Sequence, residues 1–338
     1  MEWGLRRHRE RGRVNTLISI CIPTYRRPAL LRIAVSSALA QTYPDIEVIV
    51  GDDSPDGLSA EVVEALRATA VRPIRYEHNK PGLGQNENVN RLFSLARGDR
   101  LILLHDDDVL LPDATLQLDR RWTGEASIAF GRQQVISPDG DVIIEATQQL
   151  NEYYYRTSAE TGIQEFPLAS ALRQQIPNNG FLVLTQAARA TGYRPYSEVG
   201  VYCDTDFSLR LAANLPPRSA VFIDQFTSQY RLSAESISNS ALVHGSESPR
   251  AAVALYEFAT ALAISPELSV ARDVFLARLA DKVVKGYALR GQRKRALRVF
   301  LSRSYPLAKR LTAKGGYHLS LIIFPALDRL RSYARAKH

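Results

Sequence analysis

Short apolar runs alternate with segments of helical spacing through the first third of the chain. Leu17 to Ile22 reads as a buried strand and ends at Pro23-Thr24-Tyr25. Pro28 suits the first turn of a helix running to about Ala40. Glu47 to Gly51 is a second strand, closed by Asp52-Asp53 and a Ser-Pro-Asp-Gly turn, and Leu58 to Ala70 again has helical spacing. Ile74 to Tyr76 predicts a third strand leading to Asn79-Lys80-Pro81-Gly82, Gln85 to Arg97 a helix stopped by Gly98, and Arg100 to Leu104 a fourth strand. Such alternation, with strands apolar on both faces, predicts an α/β protein with a mostly parallel sheet between layers of helices.

In open parallel sheets, ligands bind beyond the carboxyl ends of the strands. Three polar clusters fall there: Pro23-Thr24-Tyr25, Asp52-Asp53, and Asp106-Asp107-Asp108. Three carboxylates at the tip of a buried strand repel one another unless a cation sits among them. Hard divalent cations such as Mg²⁺ or Mn²⁺ take oxygen ligands, often shared with substrate phosphates. The triplet therefore predicts a metal–diphosphate site, with a solvated acidic loop or helix cap as the plainer alternative.

Beyond residue 112 the pattern is less regular. Ile128 to Ile136 and Val142 to Glu145 flank Ser137-Pro138-Asp139-Gly140, a hairpin-like signal. Asn151 to Gln175 has no clear assignment. Pro177-Asn178-Asn179-Gly180 precedes the apolar Phe181 to Leu184, and Cys203-Asp204-Thr205-Asp206 precedes a short helix over Phe207 to Ala213. Val221 to Ile223 reads as a strand, followed by Gln229-Tyr230-Arg231. From Pro249 onward the spacing is helical, broken near Gly286, Gly291 and Gly315-Gly316.

Composition narrows the class. At 338 residues, 45% hydrophobic and 23% charged, the chain is that of an ordinary globular protein. Cys21 and Cys203 stand far apart without CxxC spacing, which supports neither a disulfide framework nor a zinc site and fits a reducing, cytoplasmic setting. No signal peptide precedes Leu17, and the longest late apolar run, Leu319 to Leu327, is too short for a membrane span and contains Pro325. The net charge of +8 is unevenly spread. Residues 285–338 hold fourteen Lys/Arg and one acidic residue, residues 1–13 carry +3, and the body between them carries −8. Such a body does not predict nucleic-acid binding, whereas basic segments suit an anionic surface.

With these segments in place, residues 17–112 resemble an inverting glycosyltransferase of family 2, with the GT-A nucleotide-sugar fold. The resemblance rests on ISICIPTYRRP, ALAQTYPDIEVIVGDDS, NVNRLFSLARGD and LILLHDDDVLLP, and continues more loosely through CDTDFSLRLA and QYRLSAESIS to about residue 240. It implies a basic arm over residues 1–14, a GT-A catalytic region over 15–245 (15–112 for the nucleotide-sugar, 113–245 for the acceptor) and a helical basic extension over 246–338.

The resemblance also implies roles. Pro23 and Tyr25 match residues around the uridine of a UDP-linked donor, Asp53 matches the carboxylate that binds the base, and Asp52 sits beside it. Asp107 matches the metal-binding Asp of the DxD motif, Asp106 the position near the ribose, and Asp108 the residue just after it. His105 departs from the motif, where many members carry its first Asp, and is either a further metal ligand or a spacer. Asp204 matches the general base that takes the proton of an acceptor hydroxyl. Asp206 is an acceptor-side or structural residue. Asn178 and Asn179 sit where the acceptor side is often shaped, or form an ordinary turn. Arg231 matches a segment near the diphosphate, without the histidine that often follows. Gly82 and Asn90 serve the turn and helix beside the donor.

The expected partners are a nucleotide-sugar, a glycan or lipid-linked acceptor of cell-envelope type, and Mn²⁺ or Mg²⁺. Residues 293–301 and 319–334 can each form a basic amphipathic helix, which suggests peripheral association with the inner face of the cytoplasmic membrane. A cap on the catalytic region or an oligomer contact would use the same pattern. Three rivals remain: a sugar-phosphate nucleotidylyltransferase, a non-catalytic nucleotide-sugar binder, and a nucleic-acid binder. The first wants a Gly-rich loop where this chain has Pro23-Thr24-Tyr25-Arg26-Arg27-Pro28. Asp107 and Asp204 speak against the second, and an acidic body lacking a basic aromatic surface speaks against the third.

Overall fold

A computed structural model of the chain describes residues 16–232 and 247–324. Nine strands form one mixed sheet: β1 (Ile18–Thr24), β2 (Ile46–Asp52), β3 (Ile74–His78), β4 (Arg100–Leu103), β5 (Val109–Leu110), β6 (Ile128–Ile136), β7 (Gly162–Gln164), β8 (Leu182–Leu184) and β9 (Ala220–Arg231). Their order is β3-β2-β1-β4-β8-β6-β9-β5, with β7 paired to β9. The first four strands pair in parallel, as their apolar runs predict. The sheet then turns mixed, because β8 runs antiparallel to both β4 and β6 while β6 and β9 are parallel.

Alternation along each strand builds two cores. Ile18, Ile20 and Ile22 face the layer of α1 (Pro28–Leu39) and α2 (Leu58–Arg67), joined there by Val48, Val50, Ile102 and Leu104. Cys21, Ile49, Leu101 and Leu103 face the other side, toward α3 (Gln85–Leu95). With every one of these side chains removed from water, burial at roughly 25 cal/mol per Å² makes the sheet the stable base of the molecule. Both cysteines are buried and unpaired.

The predicted hairpin over 128–145 is not formed. Ser137 to Asp141 does turn, but only a single bridge, Ile136 to Val142, follows. After α4 (Ala114–Arg120), the chain instead enters α5 (Ile144–Tyr153). Helical i,i+4 spacing lets Thr147 and Asn151 take over the strand's unpaired backbone groups. Thr147 Oγ1 accepts the Val135 N–H at 2.8 Å, and Asn151 Nδ2 donates to the Gln133 carbonyl at 2.8 Å. The unassigned stretch after it holds β7 and α6 (Pro167–Leu172). Helices α7 (Thr185–Thr191), α8 (Tyr196–Val199) and α9 (Cys203–Ala213) come next.

The C-terminal helices are α10 (Glu247–Ala261), α11 (Ser269–Leu289), α12 (Arg293–Phe300), α13 (Leu307–Arg310) and α14 (Ala313–Ile323). Phe275, Leu279 and Val283 of α11 enter the same core as Phe130 of β6 and Phe222 of β9. This part of the chain therefore caps the sheet. The amphipathic pattern over 319–334 falls partly outside the described residues, as do residues 1–14.

Gly286 lets α10 approach α11: a Cβ there would stand 2.3 Å from the Pro249 carbonyl oxygen and 2.8 Å from Val253 Cγ2. Gly286→Ala is expected to destabilise the protein by about 1–3 kcal/mol, the usual cost of overpacking, measured by urea denaturation.

Candidate active site

The carboxyl ends of β1, β2, β3 and β4 open into a cleft of about 1000 Å³. Pro23, Tyr25, Asp53, Asp106 and Asp107 line it, together with His105, Asn178 and Asp204. Tyr25 is half exposed at its mouth. Convergence of these residues follows from parallel pairing, which puts all four strand ends on one edge.

Asp53 organises one rim. Its Oδ1 accepts from Asn79 Nδ2 at 2.8 Å and the Leu83 N–H at 3.2 Å, and its Oδ2 from the Gly84 N–H at 2.7 Å. Gly82 is needed there, since a Cβ would lie 2.9 Å from the Asp53 carbonyl oxygen. Asn90 stands farther off, bonded to the backbone of Tyr193 through its Nδ2 at 2.8 Å and its Oδ1 at 2.7 Å. Asp52 does not join the cleft. It is fully buried, and its oxygens accept the Ser54 N–H at 2.8 Å and the Tyr76 hydroxyl at 2.6 Å.

The three aspartates separate by environment. Asp106 accepts from Thr24 Oγ1 at 2.7 Å, and Arg27 Nη1 reaches it at 3.4 Å and Asp107 at 2.8 Å. Arg27 thus supplies positive charge where a cation was expected, a role its place just after the first strand end did not reveal. Asp108 is buried away from the cleft, with Oδ1 accepting the Arg231 N–H at 2.8 Å and Oδ2 accepting from Asn179 Nδ2 at 2.5 Å. His105, Asp107 and Asp108 each still offer a ligand atom within 4.8 Å of the others. The two carboxylates suit Mn²⁺ or Mg²⁺, and the imidazole, a softer donor, makes Mn²⁺ the better fit of the two.

Asp204 stands in the first turn of α9. Tyr193, whose ring stacks on Phe207 at 4.8 Å, donates its hydroxyl to Asp204 Oδ1 at 2.9 Å. His105 Nε2 lies 3.9 Å from the same oxygen. Burial raises the Asp204 pKa, against the opposing effects of His105 and Tyr193. Burial pulls the His105 imidazole down, but the carboxylates of Asp204, Asp108, Asp107 and Asp106 together push it above its usual value. A carboxylate raised toward neutrality is better matched to proton abstraction.

The profile of glycosyl transferase family 2 matches residues 19–176. Over that stretch, somewhat under half of its length, the chain resembles this family. Among similar proteins, an uncharacterised protein of Mycobacterium tuberculosis is 38% identical over 125 residues, 36% of this chain and 38% of that one. The glycosyltransferase GlyG of Streptococcus pneumoniae is 27% identical, over 48% of this chain and 51% of its own. The chain thus spans about half or less of these curated relatives. Staphylococcus aureus TarS 1–349, solved with UDP-GlcNAc, aligns over 95% of this chain and 92% of its own, at 14% identity and a TM-score of 0.63. A mannosyltransferase of Pyrobaculum calidifontis, solved with GDP-Man and Mn²⁺, aligns over 94% and 87% at 12% identity and a TM-score of 0.57. The fold is GT-A.

Within this fold, three further expectations meet a different geometry. Arg231 is buried, and its guanidinium donates to the carbonyls of Asp107, Ser137 and Pro138, which leaves it turned into the protein rather than toward a diphosphate. Asp206 is fully buried between Arg194 and Arg210, the latter at 2.8 Å, and is a structural ion-pair centre rather than an acceptor-side group. Asn179 is also fully buried, while Asn178 reaches the cleft, its Nδ2 3.4 Å from His105 Nδ1.

Burial, and then Asp107, push the Asp106 carboxyl from 3.8 to about 6. The folded protein therefore keeps a proton there that the unfolded chain has lost, so this group's contribution to stability falls as pH rises from about 4 to about 6. Asp106→Asn, which cannot ionise, is expected to gain on the wild type across that interval by about 1–3 kcal/mol, read from urea midpoints in EDTA at pH 4 and pH 7.5. A constant difference would contradict the raised pKa.

Proposed function

We propose that the chain is a metal-dependent, inverting glycosyltransferase that moves a sugar from a nucleotide-sugar, UDP-linked by preference, to a hydroxyl of a glycan or glycolipid. One observation carries this reading. The large cleft meets a second cavity of about 280 Å³, and Asp204, Asn178, Val201 and Tyr230 line both. A base at the junction of two cavities can take a proton from a hydroxyl entering through one while the other holds the donor. The Campylobacter jejuni relative named as an undecaprenol-linked beta-1,3-glucosyltransferase, 31% identical over 114 residues, supports a glycolipid acceptor.

In this reading, Pro23 and Tyr25 flank the base of the donor, and Asp53 holds the rim that shapes that pocket. Asp107, with His105, would hold Mn²⁺ or Mg²⁺, which would stabilise negative charge on the leaving diphosphate, while Asp108, its oxygens taken by Arg231 and Asn179, fixes the strand end behind them. Asp204 accepts the proton of the acceptor hydroxyl as its oxygen bonds to the anomeric carbon. The bond from that carbon to the diphosphate breaks, and the diphosphate leaves with the electron pair. Attack opposite the leaving group inverts the anomeric configuration.

Asp204→Asn and Asp107→Asn are each expected to lower transfer at least about 100-fold, within the range typical of general acid–base loss, while near-native melting temperatures are kept. The measurement is release of UDP and glycosylated product from a panel of UDP-, GDP- and TDP-sugars with Mn²⁺. Wild-type turnover by either variant would sink its assigned role.

The C-terminal helices support a second element of the reading, peripheral attachment to an anionic membrane. Among the described residues no helix is long and apolar enough to cross a membrane. Leu301, Leu307 and Leu311 are instead exposed, at 59%, 64% and 82%, beside exposed Arg298, Arg303 and Lys309. Apolar side chains flanked by basic ones suit an interface with anionic headgroups, each nearby cation adding about 1 kcal/mol. The protein is expected to sediment with phosphatidylglycerol vesicles at low salt and to be released by Leu301→Asp with Leu311→Asp. Equal recovery with neutral vesicles would refute the electrostatic part.

A further inference from the structure

The second cavity carries a charge that the proposed reaction does not use. Arg156, which follows α5, is 3% exposed yet forms part of its wall. Its Nε donates to the Gln175 carbonyl at 2.8 Å and its Nη1 to Gln133 Oε1 at 2.8 Å, both neutral acceptors. The Tyr154 ring lies 5.2 Å from its guanidinium carbon. Among the described residues no carboxylate pairs with it, and its Nη2 donates to none of them. Burial correspondingly pulls its pKa down, to about 10, which leaves it charged at neutral pH. Buried charges are ordinarily paired.

A second group in the same wall also lacks a partner. Tyr202 Oη is buried without a hydrogen bond. The cavity thus presents a guanidinium, with the side chains of Tyr154, Tyr202 and Tyr230 also in its wall and Asp204 at its junction with the large cleft. At about 280 Å³ it lies near the lower end of ligand pockets, the size for about one sugar or polyol unit rather than an oligosaccharide.

We propose that this cavity receives the acceptor unit and that Arg156 selects one carrying an anionic group, a carboxylate or a phosphate. The inference rests on the glycosyltransferase reading for its assignment of the cavity to the acceptor. The anion pairs with Nη2 of Arg156, and the reacting hydroxyl points to Asp204. Arg156 is a binding residue here, remote from the bond being made.

Equilibrium titration of the full chain, saturated with UDP and Mn²⁺, tests this directly. The probes are methyl glucuronide against methyl glucoside, and glycerol phosphate against glycerol. At least one anion is expected to bind about tenfold or more tightly than its neutral counterpart, as a charge-assisted hydrogen bond would give. The stronger of the two anions tells a uronate from a phosphate acceptor. Arg156→Gln is expected to abolish the preference and Arg156→Lys to restore part of it.

Equal binding within each pair, a preference that survives Arg156→Gln, or no binding of either anion would each overturn the proposal. UDP-sugar binding, followed by melting temperature on the same preparations, separates the two ideas. Loss of donor binding would count against the glycosyltransferase reading. Intact donor binding without anion preference would count against the acceptor assignment alone.

Discussion

One buried carboxylate ties the cleft together. Asp108 accepts a hydrogen bond from the backbone of Arg231, at the end of β9, and another from Asn179, in the turn before β8. Three segments distant in sequence thereby meet at the end of β4. Removing one partner of a buried charge costs more than the contact gains, because the remaining group is left in a poor dielectric. That asymmetry keeps the three segments in register. Asp107 and His105 then face the cleft because Asp108, their neighbour, faces inward. Asn178 comes to His105 because Asn179 is held at Asp108, and Tyr230 lines both cavities because Arg231 is anchored beside it.

The crowding of like charge around this anchor has a chemical consequence. Asp106, Asp108 and Asp204 all have raised pKa values, with burial as the leading cause. Arg27 and His105 offset part of the repulsion, but the cluster remains poised to gain from added positive charge. In the proposed reading, the same crowded carboxylates that would favour a bound cation repel one another at neutral pH. Asp204 shares in this environment and is held in place by Tyr193. For the reaction proposed, a carboxylate of raised pKa at Asp204 beside the Asp107 and His105 donors would suit displacement of a diphosphate by a hydroxyl.

The opposite face of the sheet answers a different requirement. The strands of the second half, with their mixed directions, expose aromatic side chains such as Phe130 and Phe222 on one side. Helices α10 to α12 cover that surface, so the basic C-terminal part is built into the core on one side and carries exposed leucines and cations on the other. Cap and membrane-facing surface are therefore compatible roles for the same helices.

Residue spacing alone determined the parallel half of the sheet, because strands buried on both faces leave continuous apolar runs and their ends must share one edge. It also brought Pro23, Tyr25, Asp53, Asp106 and Asp107 to attention, the family resemblance added Asp204, and the fold gathers all six along one cleft. Part of what was misplaced was legible in principle. Residues two apart on a helix do not share a face, so Asp206 could not accompany Asp204. The rest needed the tertiary structure. Asp52 and Asp53 are chemically identical neighbours, and only the position of Tyr76 on the next strand draws one of them inward. Arg27, Tyr193 and Arg156 carry no local signature, since their roles come from partners 80, 11 and 23 residues away. Local pattern sets which elements form and where chain ends emerge, whereas the direction of a polar side chain is decided by which unpaired group the folded chain brings within reach.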